Sequence, residues 1–181
     1  VRALAAGLER FPGVPGRLEA VGDGLASFRV VVDYAHTEDS LLKVMQALRN
    51  LKPARLIVLF GCGGDRDRSK RPKMGRAVEL NADWAVLTSD NPRTEEPGAI
   101  IADVLAGISR RDGLIVEPDR RAAIRQAIGQ ARPGDIVLLA GKGHEDYQII
   151  GTEKRHFDDR EEALAALKDL PGPVTAAAAG G

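Results

Sequence analysis

The 181-residue sequence holds a single cysteine, Cys62. That excludes an intrachain disulfide framework and suits a reducing compartment. Net charge is also missing, because 26 acidic side chains balance 26 Lys and Arg. That argues against a nucleic-acid binder relying on a broadly basic face, leaving only a local basic patch open, and no nucleic-acid partner is expected. No stretch approaches the ~20 consecutive apolar residues of a membrane span, so none is expected. The first residues lack the basic start and apolar centre of a secretory signal. The expected setting is the cytoplasm. Two nucleotide motifs are absent as well. No segment matches Gly-x-x-x-x-Gly-Lys-Ser/Thr, and Gly61-x-Gly63-Gly64 lacks the third glycine of the dinucleotide fingerprint.

What is present is a strand, Gly-rich loop, helix, strand and polar loop over residues 56–93. The apolar run 56–60 breaks into Gly61-Cys-Gly-Gly-Asp-Arg-Asp67, a helix follows from about Pro72 to Asn81, and the run 85–89 ends in Asp90-Asn-Pro-Arg93. Ligands of open parallel sheets sit outside the carboxyl ends of the strands, where both loops fall.

The rest of the chain extends this pattern. A helix is expected over 1–10, stopped by the Pro-Gly cluster at 12–16. Strands are expected over 17–21 and 27–33, the second with three consecutive valines suited to burial on both faces. Thr37, or alternatively Ser40, caps a helix to about Asn50 with Leu41, Leu42, Val44, Met45 and Leu48 on its apolar side. Pro97 opens a helix to about Ile108. A strand is expected at 114–116, an Asp119-capped helix to Ala131, a strand at 136–140, a hairpin from 147–150 and 154–157, and a last helix capped by Asp158 or Asp159. The alternation implies a Rossmann-like, mostly parallel sheet with helices on both faces. The hairpin is expected to add an antiparallel edge. Residues 171–181 are low in complexity and read as a flexible tail. Val1 starts without an initiating Met or a cap, and the expectation is that it opens within a longer protein.

Four polar loops follow four strands, at 33–36, 61–71, 89–93 and 141–145. Parallel strands would bring them to one rim. That rim holds carboxylates (Asp33, Asp90, Glu145), guanidinium groups (Arg66, Arg93), the Asn91 amide and the imidazoles of His36 and His144. Arginine grips a carboxylate through two parallel hydrogen bonds, and a carboxylate holds an ammonium group. Both signs on one rim suit a zwitterion, so an amino acid is the natural ligand.

The motifs Asp33-Tyr-Ala-His-Thr37, Phe60-Gly-Cys-Gly-Gly-Asp-Arg-Asp67, Lys70-Arg-Pro72, Thr88-Ser-Asp-Asn-Pro-Arg93, Ala140-Gly-Lys-Gly-His-Glu-Asp146 and His156-Phe-Asp-Asp-Arg160 resemble the C-terminal domain of the Mur ligases. They run from residue 17 to about 168 in the family's order. Within the family they are most similar to the branch that adds meso-diaminopimelate to UDP-N-acetylmuramoyl-L-alanyl-D-glutamate in peptidoglycan synthesis. The resemblance implies that Arg66, Asp90, Asn91, Arg93, Gly141 and Glu145 bind meso-diaminopimelate, with Arg93 on its distal carboxylate and Glu145 on its distal ammonium. It implies ATP contacts from Asp33 to the ribose, from Tyr34 and His36 nearby, and from Arg17 to the phosphates. It also implies ATP and Mg2+ as cofactors and amide formation through an acyl phosphate.

In the family, the phosphate-binding loop, the Mg2+ ligands and a modified lysine lie in a central domain. The UDP-sugar site lies mainly in an N-terminal one. Residues 1–22 are then expected to be the end of the central domain, 23–170 the C-terminal domain and 171–181 the tail. No catalytic residue and no metal ligand is expected within this chain, and alone it is expected to be inactive.

Other readings remain for several residues. Cys62 and Trp84 read as packing, His156 as a local hydrogen-bonding partner, and Lys142 by default as an exposed loop lysine, with phosphate binding as the alternative. Asp67, Arg68, Lys70 and Arg71 could form only a solvated loop. At the level of function, the alternatives are a lysine-adding relative, a non-catalytic amino-acid-binding module on the same fold, and a ligase extending folate with glutamate.

Overall fold

The computed structural model describes residues 14–170. The expected helix over 1–10 and the tail over 171–181 lie outside the described residues. Six strands form one sheet in the order β1-β2-β6-β3-β4-β5. They are β1 (Glu19–Val21), β2 (Arg29–Asp33), β3 (Leu56–Cys62), β4 (Trp84–Ser89), β5 (Leu114–Val116) and β6 (Ile136–Ala140). All neighbours pair in parallel except β1, which runs antiparallel to β2. The chain steps outward from β3 to β5, then returns to place β6 between β2 and β3.

Alternation along the central strands divides their side chains between two helical layers. Val31, Val58, Phe60 and Leu138 pack on one face with Leu41 and Met45 of α1 (Glu38–Arg49), Met74 and Val78 of α2 (Lys70–Asn81), and Ile101 and Val104 of α3 (Pro97–Leu105). Val32, Ile57, Leu59 and Leu139 pack on the other with Ile124 and Ile128 of α4 (Arg120–Gly129) and Ala163 and Leu167 of α5 (Asp159–Lys168). Continuous apolar strands are what burial on both faces demands.

The helix starts are chemically defined. Thr37 caps α1 in a reciprocal capping box with Ser40, so both expected candidates take part. Asp119 caps α4, and Asp158 caps α5 by accepting from Arg160 N at 2.8 Å. Helix α2 begins at Lys70, so Pro72 lies inside its first turn, where no intrahelical N–H partner is lost. Helix α3 ends at Leu105, three residues before the expected Ile108, ahead of the poor helix former Gly107.

The hairpin is antiparallel, but β7 (Tyr147–Ile150) and β8 (Glu153–His156) form a separate two-stranded sheet. The antiparallel edge of the main sheet is β1. The hairpin instead reaches the loop after β4, where Arg93 N donates to Ile149 O and Gly151 N to Arg93 O.

Candidate functional site

The loops after β2, β3, β4 and β6 converge on a cavity of about 350 Å³. Each loop supplies wall residues: Tyr34 and His36, then Gly63 and Arg66 (with Gly61 from the end of β3), then Asp90, Asn91 and Arg93, then Gly141 and Glu145. Lys70 of α2 and Tyr147 of β7 complete it. The parallel sheet thus brings the expected rim together, at a volume within the range of small-molecule sites.

One wall is acidic and interlocked. Asn91 is 3% exposed. Its Nδ2 donates to Glu145 Oε2 at 3.0 Å, and its Oδ1 accepts from Ile149 N at 2.9 Å. Asp90 is buried, and its Oδ1 has no hydrogen-bond partner among the described residues. Burial first, then the Glu145 and Asp90 carboxylates, push the Tyr34 phenol pKa up. Glu145 does the same to Tyr147.

Basic side chains share the cavity lining. Arg93 has a positive φ of 52°, a conformation uncommon outside glycine and concentrated at functional sites. Its Nη1 donates to Gly64 O at 2.9 Å and Asn91 O at 3.3 Å. Among the described residues Arg66 donates only to Asp65 O, at 3.1 Å. Neither guanidinium pairs with a carboxylate among the described residues. The loop carrying Arg66 lies against the loop carrying Arg93: Gly64 N donates to Asn91 O, and Thr94 N and Oγ1 donate to Asp65. A Cβ at Gly64 would stand 1.9 Å from Pro92 O, so only glycine permits this contact.

The residues expected to face a nucleotide cluster at the β2 end. The Arg17 guanidinium lies 4.8 Å from the Tyr34 ring centroid. Tyr34 meets His36 at 4.6 Å and His144 at 5.3 Å. Asp33 is not on the cavity wall. Its Oδ1 accepts from Ala35 N at 2.8 Å and its Oδ2 from Leu18 N at 2.9 Å, so both oxygens brace backbone. Gly141 sits at φ 121°, where a side chain would be strained, and its N donates to Asp33 O.

Three long cations differ from their expected surroundings or escaped sequence reasoning. Lys142, expected as an exposed loop lysine, is fully buried. Arg71, expected within a solvated loop, is also fully buried. It donates to Glu95 Oε1 at 2.7 Å, Glu95 Oε2 and Asp103 Oδ2 at 2.9 Å, and Gly63 O at 3.2 Å. Arg120 was not singled out at all. It lies beneath the cavity, pairs with Asp159 at 2.6 Å, and donates to Ser89 O and Ala140 O at the ends of β4 and β6. The Asp119 cap placed Arg120 at a helix start, but nothing local marked a partner 39 residues away.

The packing expectations hold for Cys62 and Trp84, and the local hydrogen bond for His156. Cys62 is buried against Met74, and burial pushes its thiol pKa up to about 12, far from a nucleophile's range. Trp84 packs against the second core face. His156 Nε2 lies 2.7 Å from Glu161 Oε2.

The Mur ligase, glutamate ligase domain profile matches residues 16–143. This chain belongs to the Mur ligase family. The matched span takes in the whole six-stranded sheet and three of the four loops. Among curated Mur ligases, the UDP-N-acetylmuramoyl-L-alanyl-D-glutamate--2,6-diaminopimelate ligase of Thermosynechococcus vestitus is 60% identical over 170 residues, covering 93% of this chain and 34% of that protein. The enzyme of the same name from Gloeobacter violaceus is 58% identical over 167 residues, covering 92% and 34%. A solved structure of a ligase of that name aligns with a TM-score of 0.81 at 44% identity, covering 92% of this chain and 34% of that one. The chain spans about a third of the length of the curated relatives it matches. A folylpolyglutamate synthase from Thermotoga maritima, at 17% identity and a TM-score of 0.55 over 77% of this chain and 30% of that one, shares the fold alone.

Proposed function

We propose that this chain is the amino-acid- and ATP-facing domain of a ligase that joins meso-diaminopimelate to UDP-N-acetylmuramoyl-L-alanyl-D-glutamate in peptidoglycan synthesis. The observation that carries this reading is the two-sign cavity: Arg66 and Arg93, without carboxylate partners among the described residues, line it together with the carboxylates of Asp90 and Glu145. The identity to diaminopimelate ligases supports it independently. In this reading the Arg93 guanidinium, held through Nη1, offers its remaining N–H groups to the distal carboxylate. Arg66 adds charge, Glu145 and Asp90 take the distal ammonium, Asn91 holds Glu145 in place, and Gly141 leaves room beside them.

Arg17, Tyr34 and His36 present cationic and π faces suited to a nucleotide, with Arg17 reaching its phosphates. Asp33 keeps lone pairs for a ribose hydroxyl while it braces β1 against β2. The chemistry is transfer of the ATP γ-phosphoryl group to the dipeptide carboxylate, followed by attack of the diaminopimelate amine and departure of phosphate. Orientation and charge neutralisation supply most of such catalysis. Among the described residues no three His, Cys, Asp or Glu side chains cluster into a metal site. The Mg2+ ligands, the UDP-sugar site and the catalytic machinery belong, in this reading, to other domains, with residues 1–22 closing the central one. Residues 19–21 of that segment are β1, which pairs with β2 as the edge strand of the main sheet, so the border between the two domains falls ahead of Glu19.

An amide-resolved NMR titration of the chain with meso-diaminopimelate and, separately, L-lysine tests this. Shifts at Arg66, at residues 90–93 and at residues 141–145 with diaminopimelate alone are expected. Arg93→Ala should weaken diaminopimelate binding about 10- to 100-fold, the scale of lost charge-assisted hydrogen bonds, and leave lysine nearly unchanged. Equal losses for both ligands would sink the Arg93 pairing, and a preference for lysine would favour the lysine-adding relative.

A further inference from the structure

We propose that Lys142 is the positioning residue of the acidic wall: its buried ammonium group fixes how Asn91 and Asp90, and through Asn91 also Glu145, are presented to the ligand. This rests on the reading of the cavity as an amino-acid site. Lys142 is fully buried, and its Nζ has donors to give and no lone pair to accept with. It donates to Tyr147 O at 2.6 Å and to Asn91 Oδ1 at 3.2 Å, and it lies 3.3 Å from Asp90 Oδ1. These three oxygens come from the start of β7 and the loop after β4. One ammonium group therefore ties the hairpin and two loops together behind the cavity.

The consequence for Asn91 is directional. A side-chain amide can present either its oxygen or its NH2 group to a neighbour, and the two ends have similar shapes. Facing an ammonium, only the oxygen is acceptable. With Oδ1 held by Lys142 and by Ile149 N, the NH2 group must face Glu145 Oε2. That bond leaves the other Glu145 oxygen for the ligand. Asp90 Oδ1, which no hydrogen bond satisfies, is held by the Lys142 charge. The same geometry sets aside phosphate binding by Lys142, since the ammonium is surrounded by protein oxygens and shielded from solvent. The charged groups acting on it are the carboxylates of Asp90, Asp159 and Glu145 against the Arg120 guanidinium. Burial dominates and lowers its pKa. An ammonium removed from water is tolerated only with such partners.

The test begins on the unliganded wild-type chain. A 1H–15N spectrum of lysine side chains should show a slowly exchanging Lys142 ammonium signal and a protected Asn91 side-chain NH2. In Lys142→Met, Asn91 NH2 exchange should rise at least ~10-fold, the minimum expected when a charge-assisted hydrogen bond is lost, with the β3 amide spectrum unchanged. Lys142→Arg should restore much of the protection, and Lys154→Met, which removes an exposed lysine lying over the Tyr147 ring, should change neither signal. With meso-diaminopimelate as the probe, Lys142→Met should weaken binding about 10- to 100-fold. An ammonium exchanging as fast as exposed lysines, or Asn91 exchange within twofold of wild type in a folded Lys142→Met, would overturn the proposal. If that variant fails to fold, the wild-type ammonium signal decides. No diaminopimelate binding by the wild type, with both side-chain signals as expected, would count against the assigned ligand and support the positioning role of Lys142.

Discussion

The two ends of the sheet use the same residue types to different effect. At the amino ends of β3 and β6, Arg55 donates to Asp135 at 2.6 Å and to Gln130 O, and Asp135 also accepts from Arg132 N. Beside it, Asp83 accepts from Leu56 N and pairs with Arg49 at 2.8 Å. These charges close turns onto strands and are matched. A cavity of about 740 Å³ lies at this end, twice the volume of the one at the carboxyl ends. At the carboxyl ends Arg120 and Asp159 are matched in the same way and Asp90 is paired with the buried Lys142, but Arg66 and Arg93 meet no carboxylate among the described residues. Volume alone would favour the amino ends. Unmatched charge held in place by matched charge favours the carboxyl ends, where the proposed ligand would bind.

The comparison breaks hardest at Arg120. Both it and Asp159 are fully buried, so Arg120→Met leaves a carboxylate stranded, and a loss of about 3–5 kcal/mol is expected. Urea unfolding followed by circular dichroism measures it. Adding Asp159→Leu should recover most of the loss, because an apolar pair of similar volume replaces a desolvated ion pair. A double variant as unstable as the single would show that the pair is needed for more than its own neutrality.

A smaller effect is expected at the amino end, where Arg55 retains contact with water. Asp135→Ala removes the acceptor for Arg55 and Arg132 N, for a loss of about 1–3 kcal/mol. It should leave the diaminopimelate response at Arg93 and Glu145 unchanged. If Asp135→Ala weakens ligand binding as much as it weakens the fold, the two ends are coupled and the contrast between them fails.

Much of this architecture is legible in the residue order. Unbroken apolar runs between amphipathic segments dictate parallel strands, and parallel strands dictate that loops after β2, β3, β4 and β6 share a rim. Asp119, Asp158 and Thr37 announce helix starts through local chemistry. The failures share one cause. Lys142 and Arg71 sit in charged, Gly-rich stretches, and their burial depends on acceptors that arrive 51 and 24 residues away. No periodicity encodes such a meeting. The hairpin shows the same limit: alternation identifies β7 and β8 as strands but does not say which sheet they join. The ribose role of Asp33 is what the family resemblance implies, whereas the orientation of its carboxylate is set by the backbone N–H groups of Ala35 and Leu18.

The subtlest difference between the ends concerns acid. Glu95 accepts from both Arg71 terminal nitrogens and from Asp65 N. The Arg71 hydrogen bonds, followed by the Asp65 backbone N–H, hold its carboxyl pKa down from 4.5 to about 2. A carboxylate with a depressed folded-state pKa binds fewer protons than it does unfolded. Its contribution is therefore complete above pH 4.5 and disappears as pH falls toward 2. Glu95→Gln, which carries no titrating charge, should be less stable than wild type at pH 7, and the two should converge as pH falls through that window. Thermal melts at pH 7, 4 and 2.5 follow this. Because Glu95 also fixes Asp65 and the Gly-rich loop, acid should loosen the Arg66 side of the cavity. A constant stability gap between the two proteins from pH 7 to pH 2.5 would mean that the Arg71–Glu95 contact carries no charge-dependent stability, and the loop would then owe its position to Gly64 and Asp65 alone.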